Sequence, residues 1–286
     1  LQAERDAEVT VSEFGQRPTA PENAAVLLVL GPDGGRVQME EKDPETGSRW
    51  REDKVFTATS YMPGDGDEKK PEPLVTTLVA SMAKTEEFGR LARVEAERRG
   101  WRHATQTLVI ADCGNWIDPL VEREFPGSVR IADWGHAKEH LYASARAMNG
   151  GKQSSEAMMC AQNWTDLLWE GKTTELIAQL ERCSRELGEP QPEDGPDHPR
   201  RVLAQNAGYF KKNQAHMNYP EYRAKGWPIG SGNTEAGVKQ INKRVKGTEQ
   251  YWSEEGVEAI LCLRSLWLSQ DERWAAYWRQ RPAYLK

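Results

Sequence analysis

The hydrophobic pattern changes its period once, near His136, and that change limits the fold more than any other feature of the chain. Before it, short apolar runs of strand length alternate with turn signals; after it, every periodic segment reads as helix. Residues 24–30, AAVLLVL, form a buried run of strand length. GPDGG follows and predicts a turn, so RVQMEE reads as a second strand and KVFTATSYM, 54–62, as a third. PGDGDEKKPEP at 63–73 reads as a loop, and the segment from Leu74 to Arg99 as a helix stopped by Gly100. TLVIAD (107–112) and SVRIAD (128–133) are strands, with WIDPLVEREF helical between them. Then come NWTDLLWEGKTTELIAQLERCSREL, a polar loop at 188–199, helices near 234–246 and 253–269, and a Trp-rich tail.

The order β-β-β-α-β-α-β predicts an α/β fold. Three meandering strands followed by α/β units match the ribonuclease-H-like layout, a mixed five-stranded sheet covered by flanking helices. In that topology the first strand lies beside the fourth. Their carboxyl ends are then neighbours, where open α/β sheets place their sites.

Several classes are excluded or disfavoured. No apolar run approaches the roughly 18 residues of a membrane span, so no membrane partner is expected. Cys113, Cys160, Cys183 and Cys262 are scattered without CxxC spacing, which argues against a disulfide framework or zinc knuckle and fits a reducing, cytoplasmic setting. The net charge is -6, but residues 200–246 hold ten Lys and Arg against two acids, Glu221 and Glu235. That segment is locally +8 and leaves the remainder at -14, a split that suggests an anionic partner or, more plainly, a solvated helical face.

Two aspartates fall at the predicted strand ends. Asp33 sits in Pro-Asp-Gly-Gly, which a tight hairpin turn also wants. Asp112 closes TLVIAD and could instead cap the following helix. Glu235 follows a Gly-Ser-Gly-Asn break and opens a helix on which Val238, Ile241 and Val245 make one stripe and Lys239, Lys243 and Lys246 another. Its plain role is to complement the helix dipole; at the seam between the stripes it could also reach a site at the sheet ends. Three carboxylates around one point repel unless cations lie between them. Hard oxygen ligands suit Mg²⁺ or Mn²⁺, and two such ions can serve an in-line phosphoryl displacement, with the lysine stripe holding the backbone.

GPDGGRVQ, VIADCGNWI, IADWGHAKEHL, YPEYRAKGWPIGSGNTEAGVKQINKRVKGTEQYWSEEGVEAILCLRS and WAAYW together resemble bacterial DDE-type insertion-sequence transposases of the ISKra group, relatives of the Mutator-like transposases, over about residues 24–280. The resemblance implies a ribonuclease-H-like catalytic core interrupted by an all-helical insertion. The corresponding division is an N-terminal segment or linker at 1–23, the first part of the core at 24–140, the insertion at 141–225 and the closing helices at 226–286. It implies Asp33, Asp112 and Glu235 as catalytic acids holding two Mg²⁺ or Mn²⁺ ions, with Asp133 and His136 as a supporting Asp-x-x-His motif. Its partners would be transposon-end and target DNA, bound by a homo-oligomer. Lys239, Lys243, Arg244 and Lys246 would hold the DNA, and Trp164, in the insertion, would stack on a base. Leu1, rather than Met, opens the chain, as expected if an N-terminal DNA-recognition part precedes it. His136 and His140 share a helix face at zinc-ligand spacing, but no third strong ligand lies near in sequence. A ribonuclease-H-like nuclease without strand transfer and an inactivated DNA-binding remnant are the rival readings.

Overall fold

The computed structural model describes residues 1–13, 26–66, 68–151, 154–247 and 249–281. Helix α1 (Gln2–Glu13) precedes β1 (Leu27–Gln38), β2 (Trp50–Met62) and β3 (Glu72–Ser81). Next come α2 (Thr85–Arg98), β4 (Gln106–Ala111), α3 (Ile117–Glu124) and β5 (Val129–Ala132). Five helices follow: α4 (Trp134–Met148), α5 (Ser155–Trp169), α6 (Thr173–Leu187), α7 (Pro199–Asn213) and α8 (Tyr219–Ala224). The chain closes with α9 (Gly232–Val245), α10 (Glu254–Leu268) and α11 (Arg273–Arg279). The five strands form one sheet in the order β3-β2-β1-β4-β5. β1 is antiparallel to β2 and parallel to β4, and β2 is antiparallel to β3. This is the mixed sheet of the ribonuclease-H-like layout, with the first strand beside the fourth.

Two boundaries differ from the sequence expectation. GPDGG is not a turn: β1 runs straight through it, pairing with β2 from Leu27–Tyr61 to Gln38–Trp50 without a break. The reversal lies further on, where the Asp43 carboxylate accepts from Thr46 N at 2.8 Å and Gly47 takes φ +68°. RVQ therefore ends β1 instead of opening a strand. The expected helix from Leu74 is strand to Ser81 and helix only from Thr85. Its β-branched Val75, Thr76, Thr77 and Val79 fit a pleated surface, and β2 supplies the partner along their length.

Contacts divide the chain into two compact units, Leu1–Pro63 with Pro71–Val129 and Ser231–Lys286, and Gly64–Lys70 with Arg130–Gly230. In the first, strand alternation feeds two cores. Leu28, Leu30, Phe56, Ala58 and Val79 pack with Phe88, Leu120 and Phe125 of the α2–α3 layer. Val37, Val55, Leu78 and Ala80 pack with Val238, Ile241 and Val245 of α9 and Val257 and Leu261 of α10. The expected apolar stripe of α9 thus faces the sheet. The second unit is the helical block, with Leu141, Trp164, Leu168, Leu176, Leu180, Leu203 and Phe210 buried.

Candidate active site

β1 and β4 run in register from Leu27–Gln106 to Leu30–Val109. Asp33 and Asp112 each stand three residues beyond that last pair, at the same level of two adjacent parallel strands. Leu28 and Leu30 belong to the α2–α3 core, so alternation turns Asp33 to the opposite face, the face that α9 covers, and Asp112 follows directly on the end of β4. β4 ends at Ala111 while β1 continues to Gln38, which opens a crevice along the freed edge of β1. There a cavity of about 280 Å³ is lined by Asp33, Gly34, Gly35, Arg36, Glu52, Asp112, Trp116, Asn242 and Lys246. The lining carries three acids and two bases. Asp33 Oδ1 accepts from Gly34 N at 2.7 Å, and Asp112 Oδ1 from Gly114 N at 3.2 Å. Both bonds hold a carboxylate in one orientation.

The glycines after Asp33 serve close approach, not turning, since neither has a positive φ. A Cβ on Gly34 would come 3.1 Å from Glu52 Oε1. One on Gly35 would lie 2.5 Å from Asp53 Oδ1 and 3.0 Å from Asn242 Oδ1. Their absence lets two acids of β2 lean over β1 and lets α9 settle on it. Asp53 itself is fully buried, and among the described residues neither of its oxygens has a partner beyond its own backbone N–H. Burial pushes its carboxyl up to about 6, with Glu52 adding to the shift and Lys54 and Lys246 opposing it.

α9 brings the remaining candidates. Its first turn touches β1 and β2 through Thr234, whose hydroxyl lies 2.8 Å from that of Thr57. Lys239, Lys243, Arg244 and Lys246 are exposed, and only Lys246 of the four lines the cavity. Glu235 is 45% exposed and pairs with Lys239 at 3.1 Å, the favourable Glu-to-Lys i,i+4 arrangement. Its carboxylate is not part of the cavity lining. The structure therefore brings Asp33 and Asp112 together and gives Glu235 a partner on its own helix. Among the described residues no group of three or more His, Cys, Asp or Glu stands ready to hold a metal ion. Asp33 and Asp112 nonetheless offer the cavity two hard carboxylates, the donor type through which Mg²⁺ is commonly held alongside water and substrate oxygens.

Asp133 is buried and caps α4, accepting from His136 N at 2.7 Å. His136 faces Glu139 at 3.4 Å, while His140 Nδ1 lies 2.8 Å from Asn206 Oδ1 and its ring stacks on Tyr209 at 4.0 Å. Asp-x-x-His is thus the capping start of a helix of the second unit. Trp164 corrects an expectation: it is 3% exposed, and its Nε1 donates to Gln179 Oε1 at 3.1 Å. A ring packed in the helical core has no free face for a base. Glu52, Arg36, Trp116 and Asn242 line the cavity without having been singled out in the sequence. Reading a turn at GPDGG left Asp33–Arg36 without cross-strand neighbours, which hid Glu52.

No family model matches the chain. No curated protein matches it. Among solved structures, a chain of a Drosophila P element transposase strand transfer complex aligns with TM-score 0.37 and 10% identity, over 93% of this chain and 81% of that one.

Proposed function

We propose that this chain is the catalytic domain of a DDE-type DNA transposase that cleaves phosphodiesters at transposon ends and joins the freed 3′-hydroxyl to target DNA. One observation carries the reading: Asp33 of β1 and Asp112, just past the end of the adjacent parallel strand β4, line one polar cavity. In this reading Asp33 and Asp112 would hold a divalent metal, and Glu235 would contribute a carboxylate to it if released from Lys239. Bound there, Mg²⁺ or Mn²⁺ supplies Lewis-acid stabilisation of an in-line displacement. The chain's own residues position the substrate. Lys246 and Arg36 flank the carboxylates and bind phosphate oxygens, which offsets the repulsion between an anionic backbone and three acids. Lys239, Lys243 and Arg244 continue that track along α9. The backbone bonds at Gly34 and Gly114 hold the two aspartates in place before substrate arrives.

The pairing of Glu235 with Lys239 favours a second reading, a DNA-binding remnant with an incomplete acid set. A nicking assay with a labelled transposon-like duplex in Mg²⁺ decides. Asp33→Asn, Asp112→Asn and Glu235→Gln should each lower nicking by orders of magnitude while DNA binding persists. A precut end with a free 3′-hydroxyl should be joined to target DNA by the parent. Nicking without joining would leave a nuclease, and no Mg²⁺-dependent nicking at all would leave the remnant.

A further inference from the structure

The last turns of α9, helix α10 and the β1–β2 hairpin carry a seam of cations, of which Lys246 also borders the acid-lined cavity. Among the described residues Lys243, Arg244, Lys246 and Arg264 make no ion pair. Arg264 donates to Gln240 O at 2.8 Å, and its Nε is buried without an acceptor. Burial, and then the charge of neighbouring Arg244, hold its guanidinium below the ordinary value. Like charges kept this close without a counter-ion are stabilised by an anion from outside.

Arg244, Lys246 and Arg264, with Arg49 beside them, also lie next to rings. Arg264 Cζ is 4.5 Å from the Trp267 centroid, Arg244 Cζ 5.7 Å from Trp252, Lys246 Nζ 5.5 Å from Trp50, and Arg49 Cζ 5.4 Å from Tyr251. Trp267, Tyr251 and Trp50 are 52%, 48% and 39% exposed. The seam is anchored, because Trp252 bonds through its backbone to Gln38 and Glu40 and through Nε1 to Val245 O at 2.9 Å. A lipid surface or apolar partner would want a continuous apolar patch, and here every ring alternates with a charge. An acidic peptide offers carboxylates but few flat faces. A nucleic-acid strand offers a phosphate and a planar base at every step. Bases inside a duplex are already stacked on one another, so exposed rings favour an unpaired strand.

We propose that this seam binds an unpaired DNA strand, Arg244 and Arg264 taking phosphates and Trp267 stacking on a base, an assignment that rests on the DNA-processing reading above. The test measures binding of the whole chain, in EDTA, to a labelled single-stranded oligonucleotide and to the same sequence as a blunt duplex. Trp267→Ala should weaken single-strand binding roughly tenfold and leave duplex binding unchanged, and Trp267→Phe should restore most of the loss. Arg264→Gln should lower the salt slope of single-strand binding by about 0.7, one phosphate contact. Trp278→Ala, equally exposed but on α11, should change neither. Parent-like single-strand binding by Trp267→Ala and Arg264→Gln would overturn the seam, as would poly-glutamate competing as well as the oligonucleotide. If seam variants bind normally while the parent still nicks DNA, the seam fails alone. If the parent nicks nothing but single-strand binding depends on Trp267, the catalytic reading fails and the seam stands. A parent that binds no DNA ends both.

Discussion

Asp53 lies fully buried under Gly35, and its carboxyl and the Asn242 carbonyl oxygen both border the space that a Gly35 side chain would fill. Among the described residues each is an acceptor without a partner from another residue. A proton on Asp53 supplies the missing donor, and burial favours that neutral form by raising the carboxyl to about 6 from 3.8. The sign for stability follows. In the unfolded chain Asp53 ionises near its ordinary value, whereas the folded chain keeps its proton until about pH 6. Between those values the folded state binds more protons, so stability falls as pH rises, and the loss is complete above about pH 6. Two pK units correspond to about 3 kcal/mol at most. Asp53→Asn removes the charge and brings an N–H donor for Asn242. In EDTA its melting temperature at pH 7.5 should exceed that of the parent by several degrees, with the gap closing toward pH 4. Parallel melting profiles for parent and variant across that range would show that Asp53 is not a buried acid of this kind.

α9 is held on the sheet by a contact with no room to spare. A Cβ on Gly31 would lie 1.8 Å from Thr234 Oγ1 and 2.7 Å from Thr57 Oγ1. Gly31→Ala must therefore push the start of α9 off β1, breaking the Thr57–Thr234 hydrogen bond, at a cost of about 1–3 kcal/mol for the overpacking alone. Thr234→Ala by itself should cost about 1 kcal/mol through the lost hydrogen bond. In the double variant the two costs should sum to more than the measured loss, because the first clash is relieved. Urea midpoints over the four proteins of the cycle measure this, and simple additivity would mean that Gly31 and Thr234 do not meet. Gly31 also shows what could and could not be read in advance. LLVL (27–30) and TLVIA (107–111) were legible as strands because burial on both faces leaves an unbroken apolar run, while residues 24 and 25 of the expected run lie outside the described residues and Val26 is exposed. The helical second half was legible from its 3.6-residue period. GPDGG was misread because Pro and Gly report turn chemistry locally. Here the glycines make space for Thr234, Asp53 and Asn242, residues up to about 200 positions away. PLVTTLVAS was misread because strand choice depends on a partner strand that no local window contains. Asp112 was legible as the acid that follows β4, but Asp33 lies inside β1 and not at its end, and that position, like the Glu235–Lys239 pair and the burial of Trp164, depends on packing.

At the scale of the whole molecule, a chain of net -6 meets a polyanion only where its surface reverses sign, and α9 with its surroundings is such a place. The same region holds an acid-rich cavity, so on the proposed reading DNA would be attracted along the helix and repelled at the crevice until a cation neutralised Asp33, Asp112 and Glu52. Divalent ions should then bind the folded chain far better than the unfolded one and stabilise it by mass action, by about 2.7 kcal/mol at a hundredfold excess over the dissociation constant. The melting temperature of the parent should rise with Mg²⁺, and NaCl at matched ionic strength should not reproduce the rise. In EDTA, Asp33→Asn with Asp112→Asn should melt higher than the parent, since two repelling charges are gone, and added Mg²⁺ should no longer shift it. Glu235→Gln settles the remaining question without an activity assay. If Glu235 leaves Lys239 to join the metal, the Mg²⁺ concentration for half the shift should rise severalfold. If Glu235 serves only the helix and Lys239, the titration should overlay that of the parent, with the starting melting temperature lowered by the small amount an exposed i,i+4 pair contributes.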